Sequence, residues 1–161
     1  MLSIHRSLGF TLIEMVLTVS IIGVLLTIAI PSYRPAIVNQ GVKSGAYDLF
    51  SALQYARSEA IKSNTALSLR AGATSDGAWT TGWRLVDPAN NNLRSWTAAS
   101  SITVTEKAGG LTVLTFGRDG RLTTASPKLQ VDPVTSLNGV FIRCVQVDLS
   151  GRPRTQLGAC S

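Results

Sequence analysis

From Phe10 to Ile30 the chain is almost wholly apolar, with a single charge at Glu14. An α-helix needs ~20 predominantly apolar residues to cross the hydrocarbon core of a bilayer, and this run has that length. Pro31 follows, removing a backbone donor at a place where a helix can kink. Beyond it apolar residues recur at Val42, Ala46, Leu49, Phe50, Leu53, Ala56 and Ala60. Steps of three and four are helical spacing. Lys43, Ser44, Ser51, Gln54, Ser58 and Lys62 fall mostly on the opposite side. The pattern predicts one long helix from Phe10 to about Asn64, with a transmembrane half (10–31) and an amphipathic half (32–64). Gly41 and Gly45 weaken that expectation in its middle.

After Asn64 the period shortens to two. Leu67 and Leu69 alternate with polar neighbours, and further strand candidates are 82–86, 102–105, 111–116, 128–131 and 140–149. Turn signals separate them: Asp87-Pro88, Asn90-Asn91-Asn92, Gly109-Gly110, Asp119-Gly120 and Asp132-Pro133. The expected fold class is α+β, a long N-terminal helix packed against an antiparallel β-sheet region spanning 65–161.

Composition adds charge to this picture. The chain has 161 residues, 45% hydrophobic and 15% charged, with net charge +6. A basic balance favours polyanions, or serves only solubility. The one histidine is His5, at the extreme N-terminus, and a chain cut between it and the apolar run would have none. Without it no Ser-His, Cys-His or His-metal chemistry is available, which argues against an enzyme; no metal site and no cofactor are expected. Trp79, Trp83 and Trp96 read as core or loop anchors, and Asp87, Asp132 and Asp148 lack the spacing of a calcium loop.

The N-terminus sharpens the reading. Residues 1–9 are short and faintly basic, and no small-residue cleavage site ends the apolar run. An uncleaved anchor and a leader cut ahead of the run both fit. Glu14 weighs on the choice, because a carboxylate in a membrane helix costs ~2.5–3.5 kcal/mol and needs a partner. Cleavage after Gly9 would create one, the α-amine of Phe10, on the same or a neighbouring chain.

Gly9-Phe10-Thr11-Leu12-Ile13-Glu14 resembles the type IV pilin and pseudopilin processing motif. The resemblance implies that a prepilin peptidase cuts after Gly9 and methylates Phe10. It further implies that Glu14 is the assembly charge pairing with a neighbouring subunit in a filament. Leu53-Gln-Tyr-Ala-Arg-Ser-Glu-Ala-Ile61, Phe116-Gly-Arg-Asp-Gly-Arg-Leu122 and Ser150-Gly-Arg-Pro-Arg154 are similar to segments of GspH/FimT-type minor pilins. The expected location is the inner membrane, single-pass, with a periplasmic C-terminal domain incorporated into a pilus at the cell surface. No motif of that group is identified in residues 71–101.

Topology from the leader places the globular part outside the cytoplasm, where disulfides persist. The two cysteines, Cys144 and Cys160, then favour a bridge over two unpaired small hydrophobes. Such a bridge would turn the tail into a closed loop presenting Gly151-Arg152-Pro153-Arg154. Guanidinium groups match phosphate oxygens through paired hydrogen bonds. Arg152 and Arg154 are the main candidates for DNA-backbone contact, with Arg143, Gly151, Arg121 and Lys128 around them and Arg118 a possible extension. Aromatic residues are too scarce from Ile102 onward to build a stacking platform, so sequence-independent, salt-sensitive binding is expected. In FimT-type minor pilins a Gly-Arg-x-Arg motif is associated with DNA uptake in natural transformation, and this tail fits it. The expected function is a minor pilin capturing extracellular DNA. The alternatives are a structural minor pilin that primes assembly and a GspH-type pseudopilin of type II secretion.

Overall fold

A computed structural model describes residues 10–74 and 76–161, with backbone alone for 28–32. The leader expected at 1–9, with His5 and Gly9, lies outside these residues. The chain divides into two units, Met1–Arg34 and Pro35–Ser161. Helix α1, Leu12–Lys62, contributes to both.

In the first unit Thr11 caps the helix: its hydroxyl accepts from the Glu14 N–H at 3.3 Å. Thr11 and Glu14 stand three residues apart, the spacing of a capping box, and a carboxylate in the first turn favours the helix dipole. Leu12, Ile13, Val16 and Leu17 are exposed. Among the described residues no helix is long and apolar enough to cross a membrane. Side chains are described from Leu12 only as far as Thr27 before the gap. That stretch is shorter than the ~20 residues a span requires.

In the second unit α1 buries Val42, Ala46, Leu49, Ala52, Leu53, Ala56 and Ala60, the stripe predicted from spacing, with Ala52 added. Phe50 packs at its margin, partly buried. The two glycines that weakened the helical expectation have a packing role. A β-carbon on Gly45 would overlap the Ile102 side chain, and one on Gly41 would lie 3.2 Å from Ser101 Oγ. Close approach of sheet to helix offsets the ~1 kcal/mol a helical glycine costs relative to alanine.

Among the described residues eight strands follow: β1 Leu67–Ala71, β2 Gly82–Val86, β3 Asn92–Thr97, β4 Ile102–Glu106, β5 Val113–Phe116, β6 Lys128–Pro133, β7 Arg143–Val147 and β8 Pro153–Leu157. They form two four-stranded sheets, ordered β3-β2-β1-β5 and β4-β6-β7-β8, with antiparallel pairing throughout. Leu67, Leu69, Trp83, Leu85, Leu114 and Phe116 from the first sheet share one core with α1 and with Val104, Leu129, Val131, Val145 and Val147 from the second.

Two strands correct the sequence reading. β3 occupies residues expected to be partly turn, and β8 occupies the tail expected to be a loop. Both are edge strands exposed along most of their length. An edge strand held by its ladder on one side needs no apolar alternation. Pro153 stands at the first position of β8, where a missing N–H is tolerated. β8 pairs with β7 from Val147↔Pro153 to Arg143↔Leu157.

Candidate functional site

The residues of interest gather where α1 ends and two tight turns meet. The first turn follows β5. Gly120, at φ +74°, donates to Gly117 O at 2.8 Å, and Gly117 donates to Arg121 O at 2.8 Å. Asp119 Oδ1 accepts from the Arg121 N–H at 3.1 Å. Arg118 and Arg121 are thereby presented, exposed, on a short closed turn.

The second turn joins β7 to β8. Gly151, at φ +77°, donates to Asp148 O at 2.8 Å. Asp148 Oδ1 accepts from the Arg152 N–H at 3.0 Å and from the Ser150 hydroxyl. These bonds and the Arg154 guanidinium hold the Asp148 carboxyl below the usual carboxylate range, the Ser150 hydroxyl contributing most. Arg152 is exposed. The Arg154 side chain is 70% exposed, and its Nη2 lies 3.9 Å from Asp148 Oδ2, a loose surface pair.

The turns lock together. Leu122 donates to Leu149 O at 3.2 Å, and a β-carbon on Gly151 would overlap the Gly120 carbonyl oxygen. Gly151 is therefore a packing residue rather than a contact residue: positive φ and the touching carbonyl both require its missing side chain. Beneath the junction stands Arg57 of α1. Its Nε would lie 3.1 Å from a β-carbon on Gly120 and 3.4 Å from one on Gly151, and this Nε is buried without a hydrogen-bond partner. The three segments whose sequences resemble one family are thus in mutual contact. Arg57 had no role in the sequence reading; its position beside the buried helix stripe was the signal available.

The remaining candidates separate. Lys128 on β6 stands opposite Gln146, which stands opposite Arg154, so one cross-strand row carries both cations ~10 Å apart. Lys128 Nζ donates to the Ser161 carbonyl oxygen. Arg143 lies at the far end of β7 from Val147, ~13 Å along the strand from the Pro153 rung. It lines a cavity of about 250 Å³ with Asn39, Gln40, Lys43, Phe141 and Leu157. Arg143 therefore does not join Arg152 and Arg154, although it sits next to Cys144 in sequence.

Cys144 and Cys160 are bridged, with Cα atoms 5.1 Å apart, and the Cys160 N–H donates to Gln130 Oε1 at 3.2 Å. The bridge fastens the chain end beyond β8. Among the described residues no group of three metal-ligating side chains forms.

A capped N-terminal helix, an amphipathic continuation and two antiparallel sheets closed by a disulfide define a type IV pilin-like subunit. The model of the prokaryotic N-terminal methylation motif matches residues 4–30. That of the type II transport protein GspH matches residues 46–151, and the chain belongs to this family. The minor pilin FimU of the Pseudomonas aeruginosa type IV pilus has a similar structure in two crystal forms. Both show 27% identity and cover 71% of this chain. Their TM-scores are 0.58 and 0.60, with 91% and 87% of FimU covered respectively. The minor pseudopilin EpsH of the Vibrio cholerae type 2 secretion system shares the fold at 16% identity and TM-score 0.54. That match covers 71% of this chain and 95% of EpsH. A comparison with curated protein sequences yields no match. The protein is a minor pilin or pseudopilin, a class of membrane-anchored structural subunits, and it associates with other pilin subunits.

Proposed function

We propose that this minor pilin serves a type IV pilus and binds DNA through the paired turns at the end of α1. Prepilin peptidase cuts after Gly9 and methylates Phe10. Residues 10–31 hold the subunit in the inner membrane before assembly, and the second unit lies in the periplasm. Glu14 pairs with the N-terminus of a neighbouring subunit. One observation carries the DNA reading: Arg118 and Arg121 on one turn and Arg152 on the other are exposed on loops packed against each other through Gly120 and Gly151. Preset cations lose little freedom on meeting a phosphate backbone. Higher identity to FimU than to EpsH favours the pilus over secretion. A role in priming assembly is the second reading, favoured by the Arg154–Asp148 contact, which ties one tail arginine within the molecule.

The test uses the full chain in neutral detergent, titrated into a fluorescently labelled duplex at several salt concentrations. Binding that weakens steeply with salt is expected, and Arg152→Ala with Arg154→Ala should abolish most of it. Absence of binding, or binding that this variant keeps, would leave assembly as the better account.

A further inference from the structure

Arg70 on β1 stands directly opposite Arg84 on β2. Their row runs across the whole first sheet, Val113–Arg70–Arg84–Ser95. It lies on the face away from the core, since Leu69, Ala71, Trp83 and Leu85 on either side are buried. Like charges placed directly opposite one another on a sheet are destabilising.

Among the described residues no close ion pair involves either arginine. The ion pairs among the described residues are Lys62–Glu59 and Arg154–Asp148. Arg84 Nη1 donates to the neutral Gly72 carbonyl at 2.9 Å, and Arg70 Nε is buried without a partner. Asp76 is near enough for Arg84 to help lower its carboxyl. The Thr81 hydroxyl and the Ala78 N–H do most to lower it, and Arg84 least, so its charge offsets Arg84 only weakly. Two arginines on directly opposed strand positions match one oxyanion that both can grip.

We infer that Arg70 and Arg84 form a second phosphate-binding site, a further footing for the DNA bound at the paired turns. This rests on the DNA reading above. Three residues along β1 separate Arg70 from Leu67, whose partner Phe116 opens the turn bearing Arg118, a distance of ~10 Å. Phosphates recur every ~3.4 Å of axis along one DNA strand, so a duplex held at the turns carries further charges over that distance.

The same anisotropy titration, on the full chain in detergent, decides the matter with two variants. In Arg70→Ala with Arg84→Ala, the slope of log affinity against log salt should fall by about 0.9, the value of one lost phosphate contact. Affinity at low salt should fall about tenfold. Arg84→Glu converts the repulsive pair into an attractive one, so its melting temperature should hold or rise while DNA affinity drops. Unchanged affinity and slope in the double-alanine variant, with binding still lost in the tail variant, would overturn this site and leave the tail reading standing. A fall in melting temperature for Arg84→Glu with DNA affinity kept would assign the pair a structural role and also overturn it. No binding by the unaltered chain would remove the DNA reading, and this site with it.

Discussion

Asp148 governs the tail turn residue by residue. Its carboxylate accepts from the Ser150 hydroxyl and the Arg152 N–H while facing Arg154, and these contacts depress its protonation. A carboxyl lowered in the folded state stabilises that state fully above its unfolded value, ~3.9, and stops doing so as pH falls through the folded value. Protection of the Arg152 amide from exchange, taken relative to the unfolded chain at the same pH, should therefore fall as pH drops below ~4, and should lose that dependence in Asp148→Asn. The asparagine keeps an oxygen for the Arg152 N–H but removes the charge that competes for Arg154. At neutral pH this variant should bind DNA about two- to threefold more tightly, the scale of an exposed ion pair. Weaker binding would mean that the charge orients Arg154 rather than competing for it.

Among the elements, the most legible were those whose burial follows a period. The helix stripe and strands β1, β2 and β4 appear within about two residues of where spacing placed them, because each sets apolar side chains against a single core. β3 and β8 were not legible, since edge strands are specified by pairing and both are exposed along most of their length. The site was legible as motifs and not as a junction. Gly120 and Gly151 touch through space, and no local pattern links them. Arg143 shows the reverse error: nearness to Cys144 in sequence says nothing of the face a side chain takes, because successive strand residues point to opposite faces. The disulfide ties both ends of the β7–β8 hairpin region. Replacing Cys144 and Cys160 by serine should cost about 3 kcal/mol, by the loop-closure entropy of a segment this short. Thermal unfolding with and without reductant measures it. DNA binding should fall far less, since the Arg152 turn is braced independently by Asp148 and Gly120.

At the scale of the whole molecule, the proposed assembly and DNA-binding roles fall to different chemistry in different units. The first unit offers exposed Leu12, Ile13, Val16 and Leu17 with one carboxylate, Glu14, in the first turn of α1. The basic turns and the Arg70–Arg84 row belong to the second. Substitutions in the two units should therefore separate the two activities. Glu14→Gln keeps the size of the side chain in the first turn but removes the charge proposed to meet a neighbouring N-terminus. It should reduce the subunit's recovery in sheared filaments several-fold, while the purified chain in detergent binds DNA as before. Arg152→Ala with Arg154→Ala should do the opposite, entering filaments normally and failing to bind DNA. Quantitative immunoblotting of filaments beside the anisotropy titration reads both. If the arginine variant is also lost from filaments, the basic turns contact a neighbouring subunit, and the charge on this end of the domain is then an assembly device rather than a DNA-binding one.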